Sequence, residues 1–551
     1  MQQAIQQIIK RIEKDDVQST DKLNNIKRDV TKELHLKRVP SNLNVFLTMT
    51  PEQRKQNLSL LSPKPIRSTN GVSVIAIMIA PFGCPHGRCT MCPTVPGITQ
   101  SYTGFAPASR RATRNKYNPY LQTFNRLEQY MLLGKDTTKI ELIIMGGNFP
   151  TTPINYQEHF VTYALKAMND FGEMFHDKFE EFLEFFEITP ENELNDERTS
   201  RINKKILPLM GMSTLDVEKK RNKDSKVRCV AMAVETKSES MTKEKTDLML
   251  YLGVTRLEVG AQSLTDEVLT RINRGHTVQD TIDATKRLKD ACYKVGYHML
   301  LGAPGASMES DVEMVKQLFS DPKYKPDALK LYPCMVFENT DLYDEWKRGE
   351  FKPLTTEQAA ELITKVKPYV PKYCRIMRVQ RDIPTHVTTA GVDRTNLRQY
   401  LPKCACIRCR QPKPDYDFSK AKPKLNVIEY DASDGTEYFF SIDDMEQDVL
   451  LGFCRMRIPS KDNVREEVNE NTALLRELHV YSPSIVGVGA QPKTEHVQHQ
   501  GLGKKLMIAA EEKAKELGKK EMIVIAGLGV KGYYERKLGY TEKGPYMWKK
   551  L

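Results

Sequence analysis

Within nine residues, Cys84-Pro85-His86-Gly87-Arg88-Cys89-Thr90-Met91-Cys92 offers three thiols, directly after an apolar run at 72–80. Three thiolates in one loop suit a 4Fe-4S cluster. Such clusters normally take four cysteines, so one iron would stay open for a small molecule to coordinate and react. Zinc is the competing reading, because C-x2-C is also a common zinc pair. A second set, Cys404-Ala405-Cys406-Ile407-Arg408-Cys409, has no hydrophobic strand before it and lies in a basic stretch. C-x-C-x2-C there points to a structural zinc that staples a loop, against free thiols as the alternative. Cys374 and His386 are open candidates for its fourth ligand.

Other residue types are placed for binding. Gly146-Gly147 follows an apolar run and lets backbone approach a ligand, while Glu235-Thr236, Glu258 and Gln262-Ser263 fall on or beyond similar runs. Each alone is ordinary, a turn or a paired carboxylate; with the cysteine loop they form a set. Near the C-terminus, Gln498-His499-Gln500-Gly501-Leu502-Gly503-Lys504 opens an amphipathic segment. Glycines there expose backbone N–H groups at a helix start, which suits pyrophosphate. Two stretches suit RNA. Arg378, Arg381, Arg394, Arg398, Arg408 and Arg410 dominate a connector with few acids, and Arg grips phosphate with two donors. Tyr102, Phe105, Arg110, Arg111, Arg114, Lys116, Tyr117 and Tyr120 interleave rings that stack bases with cations that hold backbone; a charged helix face is the plainer alternative.

These groups need elements to hold them. The run at 72–80 has the length of a buried strand, and Pro81-Phe82-Gly83 breaks it, so the thiols fall in a loop. Similar runs near 140–145, 230–234, 256–259, 297–300 and 328–332 alternate with helical patterns, which predicts a parallel β/α barrel or a doubly wound sheet. Reactive groups in such folds sit at the carboxyl ends of strands. We expect a basic helical module over 1–60, with Ile5, Ile8, Ile9 and Ile12 at helical spacing, acting either as a cap or as a nucleic-acid arm. The barrel is expected over 61–371, with a charged helical insertion and a mobile segment at about 170–226. A basic connector follows over 372–424, then a second α/β unit over 425–551. The 551 residues carry a formal charge of +12, which favours a polyanionic partner. Eleven cysteines, six in two clusters, fit a reducing cytoplasm better than a disulfide framework. No apolar stretch approaches a membrane span.

Taken in order, Cys84/Cys89/Cys92, Ser101-Tyr102-Thr103-Gly104, Ile144-Met145-Gly146-Gly147, the motif at 256–263, Asn273-Arg274-Gly275-His276-Thr277 and the motif at 379–384 resemble the radical S-adenosylmethionine (SAM) core of the catalytic subunit of Elongator. The likeness is to its single-chain archaeal or bacterial form and covers about 60 to 551, least at 170–226. It implies a partial barrel of the radical SAM type followed by a GNAT-type acetyltransferase domain. The open iron would bind SAM, and an electron from the cluster would cleave it to a 5′-deoxyadenosyl radical, with Gly146, Gly147, Glu235, Glu258 and Gln262 as cofactor contacts. In the second domain, Glu477, Leu478, His479 and Val480 would run beside pantetheine, and Gln498, Gln500, Gly501, Leu502, Gly503 and Lys504 would hold the pyrophosphate. Tyr534 would reach the thioester end, where a phenol can protonate a leaving thiolate. Tyr533 and Lys139 are further catalytic candidates, Tyr533 with a packed core ring as the alternative, and Lys139 also matches a position that contacts acetyl-CoA.

The implied activity is tRNA modification. The acetyl methyl, converted to a radical, would add to carbon 5 of the wobble uridine in the anticodon stem-loop, and thioester hydrolysis would leave a carboxymethyl group. A reductant for the cluster is implied, and work alone, as a homodimer or in a larger complex are all left open by the sequence. A lysine acetyltransferase with a structural iron–sulfur domain, and an RNA-binding scaffold, are the rivals. The chain departs from the wider radical SAM pattern in its C-x4-C-x2-C spacing and in Lys237, which stands without a following Pro where Arg-Pro is usual.

Overall fold

The computed structural model describes residues 1–61, 71–189, 195–381, 383–394, 396–413, 415–463, 465–482 and 501–551. Four helices open the chain: α1 (Gln2–Lys14), α2 (Thr20–Glu33), α3 (Asn42–Thr48) and α4 (Pro51–Leu61). Ile5, Ile8, Ile9 and Ile12 form one buried stripe of α1, and with Leu23, Val30 and Val45 they close a small separate core. Phe46 on Phe179, with ring centroids 5.7 Å apart, and Arg54 on Glu180 at 2.7 Å join this module to the rest.

Seven strands follow: β1 (Ser73–Met78), β2 (Lys139–Met145), β3 (Arg228–Thr236), β4 (Arg256–Gln262), β5 (Lys294–Leu301), β6 (Ala328–Pro333) and β7 (Arg375–Arg378). All pair in parallel and in chain order. A doubly wound sheet reverses its strand order at a switch point; this one does not, so it curls into a partial barrel. Its βα connections start helices with side-chain caps, such as Thr277 on Asp280 and Ser307 on Ser310. β7 falls inside the stretch read from sequence as connector, yet pairs with β6 and completes the sheet. Four residues of which only Ile376 is buried are too short to stand out as a strand in an Arg-rich context.

The charged insertion forms helices Phe179–Phe185, Asp196–Ile206 and Leu215–Asp224. It is less peripheral than its charge suggests, since Phe182, Phe186, Ile202 and Ile206 are fully buried with Phe171 and Phe175 in the main core. The segment expected to be mobile overlaps 190–194, which lies outside the described residues.

The last unit is a second seven-stranded sheet. It contains β8 (Pro423–Ala432), β9 (Gly435–Asp444), β10 (Val449–Ile458), β11 (Thr472–Val480), β12 (Glu521–Val524), β13 (Thr541–Lys543) and β14 (Tyr546–Lys550). The order is β13-β14-β12-β11-β10-β9-β8, with only β11 and β12 parallel. The helix Leu502–Glu516 packs Leu506, Met507, Ala510 and Ala514 onto it. This unit docks on the amino-terminal rim of the barrel. Arg476 binds Asp327, just before β6, at 2.7 Å, and Arg457 binds Asp290, before β5, at 2.7 Å. The interface is too close for side chains in places: a Cβ on Gly527 would lie 2.0 Å from the Val230 carbonyl oxygen.

Candidate active site

Because β1 to β7 run parallel, the loops after them meet at one rim, and the cysteine loop is the first of these. Gln100 fixes it from both sides, accepting from the Cys84 N–H at 2.8 Å and donating to the Gly87 carbonyl at 3.1 Å. The Thr90 N–H donates to the Ile272 carbonyl at 3.1 Å. Cys89 is buried and Cys84 and Cys92 are half-buried, all on the wall of one cavity of about 1520 Å³. Cations gather around them: Arg274 Nη1 lies 3.7 Å from Cys89 Sγ, and Lys237 is buried close by. Burial pushes the Cys84 thiol up while Lys237 and Arg274 pull the other way. The Nε of Arg274 is buried without a partner among the described residues. A loop of three thiols ringed by cations, with an orphaned donor beside it, fits an anionic cluster. Among the described residues, only Cys404, Cys406 and Cys409 gather three ligand atoms within 4.8 Å. The first loop's sulfurs are spread more widely, as suits separate corners of a cluster and not a single zinc.

Around the same rim, Gly146 has φ +129°, and a Cβ there would lie 2.4 Å from Ile79, so no other residue fits. Gly147 has φ +78° and lines the cavity. Glu235, at the end of β3, accepts from the Gly146 N–H at 3.4 Å and from the Tyr102 hydroxyl at 3.1 Å. Burial opposes its ionisation, but Lys330 and His298 hold it below the usual carboxylate range. Gln262 ends β4 with φ +69°.

Below the rim the inward positions alternate along each strand. Lys139 and Glu141 come from β2, Arg256 and Glu258 from β4, Lys294 and His298 from β5, and Lys330 from β6, all lining the same cavity. They pair across it: Arg256 with Glu141 at 2.5 Å and Glu258 at 2.8 Å, and Lys330 with Glu258 at 3.4 Å and Glu235 at 3.7 Å. His298 Nε2 lies 3.2 Å from Glu258. Glu258, read from sequence with the rim groups, therefore sits deeper, inside the lumen. Despite burial, Lys330 and Arg256 hold it well below the usual carboxylate range.

At the far end of the cavity lies the second unit. β12 pairs with β11 only as far as Leu475, so residues 477–480 are bonded on the β10 side alone among the described residues. The strands splay, leaving a backbone edge that a pantetheine amide can pair with. Glu477 and His479 face the barrel, where Glu477 meets Lys294 and Arg455, and His479 stacks on Phe453. Leu478 and Val480 face the other core. Gly501 has φ +92° and caps the helix whose first turn carries Leu502, Gly503 and Lys504. Gln498 and Gln500 lie outside the described residues. Tyr534 is buried on the cavity wall, edge-on to Tyr533 and Tyr540, and burial pushes its phenol up. Tyr533 is half-buried, packs against the second core and also lines the cavity. Lys139 starts β2 opposite Arg228, at the rim that receives the second unit, and burial lowers its ammonium pKa.

The basic residues divide. Arg110, Arg114 and Arg394 are exposed away from the cavity, Arg111, Arg378, Arg381 and Arg398 line it, and Arg408 is exposed at its edge. Arg410 does not join them: it is buried, tied to Asp443 at 2.6 Å and to the Ala405 and Lys372 carbonyls, and so braces the connector. Tyr120 is fully buried with its hydroxyl on Asp170 at 2.7 Å, a core residue. Neither candidate fourth ligand brings an atom into the 4.8 Å group of Cys404, Cys406 and Cys409. Cys374 is buried, with its carbonyl accepting from the Ile407 N–H, and the exposed His386 ring packs edge-on against Phe105. Sequence reasoning missed Arg274, His86 and the charged lumen; the signal for the last was charge at alternate positions of β2 and β4.

Comparison with known proteins follows these divisions. Residues 78–318 match the radical SAM superfamily, 326–403 the radical SAM C-terminal domain, 405–540 the acetyltransferase (GNAT) family and 1–69 the ELP3 N-terminal domain. The first implies a 4Fe-4S cluster with SAM, and the third acetyl-CoA. The tRNA uridine(34) acetyltransferase of Methanocaldococcus infernus is 41% identical over 531 residues, 93% of this chain and 92% of that protein. Elongator complex protein 3 of Danio rerio is 34% identical over 574 residues, 100% of this chain and 97% of that protein. The solved archaeal Methanocaldococcus infernus Elp3 with an N-terminal deletion superposes with a TM-score of 0.67 at 37% identity, covering 88% of this chain and 100% of that one. With a parallel barrel carrying the cysteine loop, a GNAT sheet docked beneath it and relatives matched nearly end to end, the chain belongs to the family of the archaeal tRNA uridine(34) acetyltransferases and Elongator complex protein 3.

Proposed function

We propose that the protein acts on uridine 34 of tRNA, joining a carbon derived from acetyl-CoA to carbon 5 of the base and ending as carboxymethyluridine. The observation that carries this is the single cavity, lined at one end by Cys84, Cys89 and Cys92 and at the other by Gly501, Gly503 and Tyr534. When bound, the cluster with SAM supplies a carbon-centred radical, and acetyl-CoA supplies an activated methyl. The chain's part is placement. Gly146 and Gly147 admit a ligand against backbone, and Glu235, kept ionised and fixed by the Tyr102 hydroxyl, accepts hydrogen bonds from it. Arg381, anchored on Ser101, and Arg378 bring positive charge to the rim for RNA phosphate. The Tyr534 phenol, kept protonated by burial, donates a proton to the departing thiolate.

Zinc in the second cysteine set is supported by spacing. Tetrahedral zinc with Zn–S bonds of about 2.3 Å sets sulfurs about 3.8 Å apart, and Cys404 Sγ lies 3.6 Å from Cys409 Sγ. Lysine acetylation is disfavoured, because it needs a free carboxylate to deprotonate the amine. The carboxylates among the described cavity residues, Glu141, Glu235, Glu258 and Glu477, are all engaged by cations. The test is anaerobic incubation of reconstituted protein with dithionite, SAM, acetyl-CoA and unmodified tRNA, followed by mass spectrometry of nucleosides and small molecules. Carboxymethyluridine and 5′-deoxyadenosine are expected, both lost in Cys89→Ala. Deoxyadenosine without modified uridine would overturn the assignment of substrate.

A further inference from the structure

Lys237 is one of the two places where the rim departs from the wider pattern, and its surroundings give the departure a role. Its ammonium is buried, and three acceptors surround it: Glu239 at 2.6 Å, the Arg274 carbonyl at 2.8 Å and His86 Nδ1 at 2.9 Å. An ammonium has three protons and no lone pair, so each contact is a donation from Lys237. His86 Nδ1 must therefore accept, which leaves the ring proton on Nε2. That nitrogen lies 3.3 Å from Cys89 Sγ, so the ring donates to the sulfur. Arg274 Nη1 donates to the same sulfur from another side, held by Nη2 on the Gly260 carbonyl at 2.7 Å. Gly260 is required for this, since a Cβ there would lie 2.4 Å from Nη2. Cys89 thus collects two donors from a connected network, Glu239–Lys237–His86 and Gly260–Arg274.

We propose that Lys237 is a positioning residue that sets the tautomer of His86, so that His86 and Arg274 together donate to the Cys89 sulfur and raise the reduction potential of the cluster. Donors to a cluster thiolate stabilise the more negative, reduced state more than the oxidised one, which moves the potential upward. Lys237 reaches no cluster ligand itself and acts through the histidine. Gly275 keeps the ring in place: its φ is +73°, and a Cβ there would lie 2.5 Å from the His86 Cβ.

This inference rests on the cluster assigned above. The test is the midpoint potential of the reconstituted full-length protein, followed by electron paramagnetic resonance in a redox titration, for wild type, K237M, H86F and K237M/H86F. Iron content and circular dichroism are measured on each. Both single variants are expected to hold four irons and to shift to more negative potentials. The K237M shift is expected to be smaller in the H86F background than in wild type, because part of it passes through the ring. Equal K237M shifts in both backgrounds would reduce Lys237 to a bystander charge and overturn the proposal. So would an unchanged potential, or loss of iron from K237M with its fold intact, which would make the network a clamp for the loop. If H86F loses its cluster, K237M is compared by the exchangeable-proton couplings of the reduced cluster, and couplings equal to wild type overturn the proposal. A wild-type protein that forms no four-iron cluster would instead remove the cluster assignment itself.

Discussion

In the proposed mechanism, Tyr534 gives one proton to the departing thiolate. It is buried between Tyr533, Tyr540 and the GNAT core, and burial raises its phenol, so it remains a donor at any physiological pH. Removing the hydroxyl leaves the ring and its packing. Tyr534→Phe is therefore expected to lower acetyl-CoA turnover by about 100-fold or more while changing coenzyme affinity only a few-fold and leaving reductive SAM cleavage intact. Rates with a thiol-detecting assay, beside calorimetric binding of coenzyme A, check this, and equal loss of binding and turnover would make Tyr534 a packing residue. At the rim, the same scale explains why Gly146 and Gly260 are glycines: their missing Cβ atoms would occupy the space of Ile79 and of the Arg274 guanidinium.

Among elements, the connector after β7 is the piece whose sequence looked most like a ligand surface and whose structure is most divided. A short helix, Ile407–Arg410, turns Ile407 into the core and Arg408 outward, while Arg410 folds back onto Asp443. Three sulfurs converge on its start. If zinc staples them, Cys406→Ser is expected to lose about one zinc per chain and keep four irons, with faster proteolysis confined to this connector. Elemental analysis and limited digestion read this; zinc retained in the variant would place the metal elsewhere. The splayed end of β11 belongs to this scale too, because pairing with β12 stops at Leu475 and frees the edge that follows.

Across the whole molecule, the barrel and the GNAT sheet are joined by buried charge. Arg476 bridges Asp327 and Glu437 at 2.7 Å each, and Glu477 joins Lys294 and Arg455. Such pairs add little net stability over apolar packing, but breaking one costs about 3–5 kcal/mol, which fixes how the units dock. Burial opposes ionisation of Glu477, yet Lys294 and Arg455 hold it down to about 2. A carboxylate whose folded pKa is depressed contributes stability above its unfolded pKa, about 4.3, and loses it as pH falls toward the folded value. The ionised Glu477 therefore adds stability at neutral pH that its protonation removes. Glu477→Gln is expected to be less stable than wild type in urea at pH 7, and the gap to close between pH 4.5 and about 2. A gap independent of pH would show that the ion pair is not what the glutamate contributes.

The sequence alone determined the parts. Nine residues fix three thiols in a loop, strand-length apolar runs separated by helical patterns fix parallel β/α units, and glycines before an amphipathic segment fix a phosphate-type helix start, because each depends on local spacing and backbone preference. Tertiary structure decided what these parts do together. Arg410 and Tyr120 turned inward, since burial depends on which neighbours arrive and not on the residue's own type. Glu258 moved from rim to lumen because strand register sets depth. Lys237, Arg274 and the pair His86 and Cys89 come from three separate segments, and the hydrogen bonds that join them exist only once β1 to β4 are assembled in order. The single cavity is of the same kind: its two ends are more than 400 residues apart in sequence from Cys84 to Gly501, and only the docking of one sheet beneath the other makes them one space.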